Sequence, residues 1–135
     1  MEIIKRAELR DREVILDVAC GNGSLLEALS KKAKVEAFGI DISENLIGEA
    51  RRRCPQLVFA AQSCFPLEFE DESKDVITVS CAFHHFENPQ GFADESMRVL
   101  KDGGRIYMVE PYFSQKTEAL GLKDSILMTE FEGEK

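Results

Sequence analysis

Apolar positions along this chain fall into two recurring patterns, short dense runs and longer stretches with a helical period. The runs Val14 to Val18, Val35 to Ile40, Leu57 to Ala61, Asp75 to Cys81 and Arg105 to Glu110 are five to seven residues long. They predict strands of a buried sheet. Between them Leu25, Leu26, Leu29 and Ala33 recur at helical spacing, as do Leu46, Ile47 and Ala50, and later Phe92, Ala93, Ser96, Met97 and Leu100. Ser43 can cap the second of these helices, Arg51 to Arg53 suit its C-terminal dipole, and Pro55 ends it. Asn88 with Pro89 starts the third, and Gly103 and Gly104 are expected to stop it. Residues 2 to 12 read as a charged amphipathic helix or arm. Strand-helix alternation with short turns predicts an α/β fold whose mostly parallel sheet is covered on both faces.

Composition limits the function classes. The 135 residues form one domain, with a formal net charge of −8 from 17 basic and 25 acidic side chains. Such a balance disfavours a phosphate backbone as partner, so no nucleic acid is expected; the arginines at 51 to 53 read as a solvated helix end. Cys20, Cys54, Cys64 and Cys81 form no C-x-x-C pair and have no histidine at zinc spacing, which predicts reduced thiols and no metal site. With no bilayer-length apolar run and no leader-like N-terminus, a cytoplasmic protein without a membrane span is expected.

The candidate chemistry sits where the first strand ends. VILDVACGNGSLLEAL places an acid, Asp17, before a turn through Ala19, Cys20, Gly21, Asn22 and Gly23 into an amphipathic helix. At the carboxyl end of a buried parallel strand, glycines let backbone approach a ligand, and the helix offers unpaired N–H groups. Asp41, at the next strand end in AFGIDIS, can take two ribose hydroxyls, which points to a nucleoside-type cofactor. A dinucleotide loop would carry a third glycine where Leu26 stands, and Asp17 would repel a pyrophosphate but suits an ammonium and a sulfonium. Taken alone, the loop could equally be a turn that joins strand to helix.

The loop motif D-x-A-C-G-x-G resembles the first motif of class I S-adenosylmethionine-dependent methyltransferases, and it has company. Phe69 to Ile77 resembles F-P-D-x-S-F-D-V-V, Phe83-His84-His85 resembles L-H-H, and Arg98 to Gly104 resembles R-V-L-K-P-G-G of their ubiquinone/menaquinone-biosynthesis-like branch (methyltransferase type 11). From Val14 to Pro111 the likeness covers nearly three quarters of the chain. It implies a three-layer Rossmann-like sandwich and S-adenosyl-L-methionine as cofactor, leaving S-adenosyl-L-homocysteine. By resemblance Asp17 and Gly21 to Gly23 position the methionine part, with Ala19 and Cys20 in the same loop. Asp41 takes the ribose, Ile42 an adenine face, and Ser63 or Cys64 the adenine edge. Ser80 and Cys81 line the methyl-donor channel as far as Phe83. His84 and His85 are the candidate bases for a small-molecule methyl acceptor, or else a hydrogen-bonded turn that caps the strand.

The departures from that family carry their own expectations. Ser63 stands where an acid usually bonds the adenine amine, which predicts weaker cofactor affinity by on the order of 1 kcal/mol. Lys74 and Asp102 replace an aromatic residue and a proline, and both read as surface changes. Residues 1–13 supply only a short cover, and 112–135 form a truncated C-terminal part in which Ser125 to Glu132 could add one strand at most. The sheet would then lack part of its C-terminal antiparallel pair, leaving the fifth-strand edge open to a homodimer or completing partner. A non-catalytic S-adenosylmethionine-binding or partner-binding module is the rival reading, and an NAD-dependent oxidoreductase a more distant one.

Overall fold

In the computed structural model, which describes residues 2–80, 82–110 and 125–129, the predicted alternation is realised as a doubly wound sheet. The elements are α1 (Glu2–Arg6), β1 (Val14–Val18), α2 (Ser24–Ser30), β2 (Glu36–Asp41), α3 (Glu44–Arg53), β3 (Val58–Ala61), β4 (Lys74–Ser80), a 3-10 turn (Phe83–His85), α4 (Pro89–Val99), β5 (Leu100–Glu110) and β6 (Ser125–Thr129). They form one six-stranded sheet in the order β3-β2-β1-β4-β5-β6. Every described ladder is parallel. The order reverses at β1, which has β2 on one side and β4 on the other. That switch point opens the crevice in which a sheet of this kind binds ligands.

Strand periodicity divides the core in two. Ile15, Val76 and Tyr107 face one side, where they pack with Ile3, Leu26, Leu29, Ile47 and Ala50 from α1, α2 and α3. Their neighbours Leu16, Ile77 and Ile106 face the other side, against Phe92 and Val99 of α4 and Leu67 of the β3–β4 connection. Helices on both faces of a two-sided apolar sheet make the three-layer sandwich.

Local chemistry sets most boundaries. Ser43 caps α3 by accepting a hydrogen bond from Leu46 N at 3.2 Å, and Asn88 caps α4 through Gly91 N at 2.9 Å with Pro89 in the first turn. These are the start signals read from sequence. The end of α4 differs. The helix stops at Val99, and Leu100 already pairs with Lys74, while the next paired residues are Val76 and Arg105. Gly103 and Gly104 therefore lie in a bulge of β5 and do not stop the helix.

One further expectation is corrected. Lys74 is only 5% exposed, with its ammonium 4.6 Å from the Phe38 ring centroid and 4.3 Å from that of Phe69. It fills the aromatic slot as a cation against two π faces, and burial lowers its pKa; Asp102 is exposed as expected. The single added strand, β6, pairs Ile106 with Ser125 and Glu110 with Thr129 in a parallel ladder, so no antiparallel pair occurs among the described residues. It occupies the β5 edge named for a homodimer or completing partner, and β6 becomes the outer strand of the sheet in its place. The rest of 112–135, apart from β6, lies outside the described residues.

Candidate functional site

The β1–α2 loop takes a backbone path that few residues tolerate. Ala19, Gly21 and Gly23 have φ of 61°, 57° and 84°. Left-handed backbone is free for glycine but costs an alanine about 1 kcal/mol. A Cβ at Gly23 would lie 2.9 Å from Phe59 Cζ and 3.3 Å from Ala50 Cβ, so α2 packs against the sheet and α3 only with glycine there. A Cβ on Gly21 would meet only open space; that residue is glycine for its conformation. Asn22 Oδ1 accepts hydrogen bonds from Ser24 N at 3.1 Å and Ser24 Oγ at 2.6 Å, fixing the start of α2.

Two acids flank this loop in different surroundings. Asp17, at the end of β1, is 2% exposed and accepts a hydrogen bond from Thr78 Oγ1 at 2.8 Å. Burial pushes its pKa from 3.8 up to about 7, against the Thr78 hydrogen bond and with help from the Asp41 charge. Asp41 ends β2; its Oδ2 accepts from Gly21 N at 2.9 Å and its Oδ1 from Ser43 N at 2.9 Å. The carboxylate thus ties the glycine loop to the start of α3, and each oxygen keeps acceptor capacity for a hydroxyl.

Two cavities open on the crevice and share Ala19. The smaller, about 300 Å³, is lined by Asp17, Cys20, Gly21, Asn22, Ser24 and Ser80, together with Ile4 and Leu25. The larger, about 400 Å³, runs from Asp41 and Ile42 past Gln62, Ser63 and Cys64 to His85. Its outer wall includes Phe65, Phe86, Glu87 and Asn88. Ile42 is 77% exposed, an apolar side chain offered to whatever enters.

Most of the residues singled out in the sequence gather on these two cavities. Asp17, Ala19, Cys20, Gly21, Asn22 and Ser80 line the first; Ala19, Asp41, Ile42, Ser63, Cys64 and His85 line the second. Gly23 stands behind them as the packing glycine. Cys81 and the His84 side chain lie outside the described residues. Cys20 is 8% exposed, and burial, reinforced by the charges of Asp17 and Asp41, raises its thiol pKa, so it contributes packing and not a nucleophile. Burial likewise raises Cys64, with Glu87 adding its charge. Ser63 is exposed and already engaged: its Oγ donates to Phe65 O at 2.9 Å and accepts from Phe65 N at 3.1 Å.

Sequence reasoning passed over Thr78, Ile4 and the Phe65–Phe86 wall. Thr78 had a legible signal, since it is the polar residue inside an apolar strand and stands in register with Asp17. The wall had none, because it forms where two loops meet. The first of these loops is tied to α4: Arg98 donates to Leu67 O at 2.8 Å and Phe69 O at 2.9 Å and pairs with Asp71, and with Glu95 of its own helix, at 2.7 Å each. Among the described residues no cluster fits a metal ion, and no helix is long and apolar enough to cross a membrane.

A sheet wound in this order, with a glycine loop between two strand-end acids, defines a Rossmann-like nucleoside-cofactor domain. Residues 16–108 match the family model of the methyltransferase domain. The chain belongs to that family of S-adenosylmethionine-dependent methyltransferases. It is 32% identical over 107 residues to demethylmenaquinone methyltransferase of Chlorobaculum tepidum, covering 79% of this chain and 44% of the relative. Against the Thermotoga maritima enzyme of the same name identity is 34% over 99 residues, covering 73% and 43%. The crystal structure of the YcgJ protein of Bacillus subtilis superposes with a TM-score of 0.78 at 30% identity, over 88% of this chain and 52% of that one. The chain thus spans about half the length of the relatives it matches.

Proposed function

We propose that this chain binds S-adenosyl-L-methionine across its two cavities and transfers the methyl group to a small, planar, quinol-type acceptor. One observation carries the reading: a buried acid, Asp17, whose one side-chain donor among the described residues is Thr78, lines a cavity together with Ala19, Cys20, Gly21 and Asn22 of the β1–α2 loop. An acid so placed is stable beside a cation and poorly placed for phosphate. The names of the relatives support the acceptor class, and the Phe65–Phe86 wall supports a flat, apolar body.

The residues divide the work by position. Asp17 holds the ammonium end with the Gly21–Gly23 backbone beneath it. Asp41 turns its spare lone pairs to the ribose hydroxyls, and Ile42 covers one adenine face. Bound there, the cofactor supplies a sulfonium methyl already activated for in-line displacement, so the protein's main task is alignment. His85, on the larger cavity, takes the proton an acceptor hydroxyl gives up; an imidazole is the side-chain base suited to neutral pH. The test is transfer of radiolabelled methyl from S-adenosylmethionine to a demethylated naphthoquinol. Label in the quinol with wild type, and at least a tenfold loss with His85→Ala, is the expected result. Absence of transfer to any quinol would overturn the acceptor class.

A further inference from the structure

We propose that Glu87 reads the exocyclic amine of the adenine, supplying from the second crevice loop the negative charge that the serine at position 63 lacks. The inference rests on the adenosyl cofactor reading and goes beyond it by naming what selects the base. It follows from a census of acceptors around the larger cavity, whose polar lining is Asp41, Gln62, Ser63, His85, Glu87 and Asn88 beside the Cys64 thiol.

Most of these acceptors already take one hydrogen bond from the protein, and those of Gln62, Ser63 and Asn88 carry no charge. Ser63 Oγ both donates to and accepts from the Phe65 backbone. Gln62 Oε1 accepts from Glu68 N at 3.2 Å, and Asn88 Oδ1 accepts from Gly91 N as the α4 cap. Asp41 lies at the glycine-loop end, bonded to Gly21 N and Ser43 N, where the ribose belongs. Glu87 is an exposed carboxylate that takes part in no hydrogen bond or ion pair among the described residues.

Its position agrees with the chemistry. Glu87 and the Cys64 of the strand-end loop line the same cavity, and the Glu87 charge acts on the Cys64 thiol. An amine donating to a carboxylate makes a charge-assisted bond, roughly twice as strong as one to a neutral hydroxyl. A base entering between Ile42 and the second loop would bring its amine to the one side chain there with an unspent negative charge. The acid missing after β3 has therefore moved to the segment joining the 3-10 turn to α4.

The experiment compares S-adenosylhomocysteine with S-inosylhomocysteine, in which a carbonyl replaces the amine, by calorimetric titration of the full chain and its Glu87→Gln variant. Wild type is expected to favour the adenosyl ligand by about tenfold or more. In Glu87→Gln the adenosyl affinity falls about tenfold while the inosyl affinity holds or rises, because an amide can donate to the carbonyl. An unchanged ratio between the two ligands in the variant would overturn the assignment, whether both affinities stay or both fall together. Equal binding of both ligands by wild type would overturn it while leaving the cofactor reading intact. Binding of neither would remove both.

Discussion

Replacing Asp17 with asparagine should make the empty domain more stable at neutral pH while weakening the cofactor. In the folded chain the carboxyl is 2% exposed, with a pKa raised from 3.8 to about 7 chiefly by burial. A raised carboxyl pKa means that the native state holds its proton longer than the unfolded chain does. The stability this group contributes is then fully present below the unfolded value, and it is lost as pH rises from about 4 to about 7. Above that range both states are ionised, and a constant penalty of about 4 kcal/mol remains from the roughly three-unit shift. Between about pH 4.5 and 7.5 the wild type should lose about 3 kcal/mol relative to Asp17→Asn, which cannot titrate yet keeps an acceptor for Thr78 Oγ1. Urea denaturation of both proteins across that range measures the difference. Parallel stability-pH curves would refute the reasoning, since the burial cost would then be absent. With ligand present the order should reverse at neutral pH, because a neutral amide gives up the attraction for an ammonium.

Three further changes probe the scaffold around the site. Gly23→Ala forces a Cβ to within 2.9 Å of Phe59 at a φ of 84°; a loss of about 2 kcal/mol or more is expected in urea denaturation, with α2 displaced and cofactor affinity reduced. Arg98→Ala removes two carbonyl contacts and an ion pair with Asp71 that tie residues 67 to 71 to α4, together with the ion pair to Glu95 within the helix. With the arginine partly exposed, this should cost about 2 kcal/mol and loosen ligand binding from a distance, read by the same denaturation and by titration. Asp41→Ala frees the Gly21 and Ser43 amides and deletes the ribose acceptor; affinity for S-adenosylmethionine should fall at least tenfold, and unchanged affinity would show the ribose assignment to be wrong.

What could be read from sequence was local, and what could not was brought together by the fold. The strand Val14–Val18 was legible to the residue because its apolar run ends at a charged-to-glycine transition, and the caps at Ser43 and Asn88 are signals contained within four residues. The cofactor loop was legible for the same reason. Lys74 was misread as a surface residue because its burial depends on Phe38, on a strand two places away, and on Phe69, five residues earlier. The end of α4 was misplaced because the glycines signal a break in regular backbone without saying whether helix or strand is broken; pairing of Leu100 with Lys74 decides it. At Ser63 the sequence position suggested a base contact, and the residue does line the larger cavity while its hydroxyl also exchanges hydrogen bonds with the Phe65 backbone. The acceptor left over on that cavity, Glu87, lies 24 positions further along and meets it only across the crevice.

The most direct test of the account is calorimetric titration of the purified chain with S-adenosylmethionine, S-adenosylhomocysteine and NAD. The two strand-end acids, the glycine-containing β1–α2 loop that lines the smaller cavity and the buried Leu26 at the third loop position predict saturable binding of the two adenosyl ligands at one site and none of NAD. Binding of NAD in their place, or of none of the three, would contradict it.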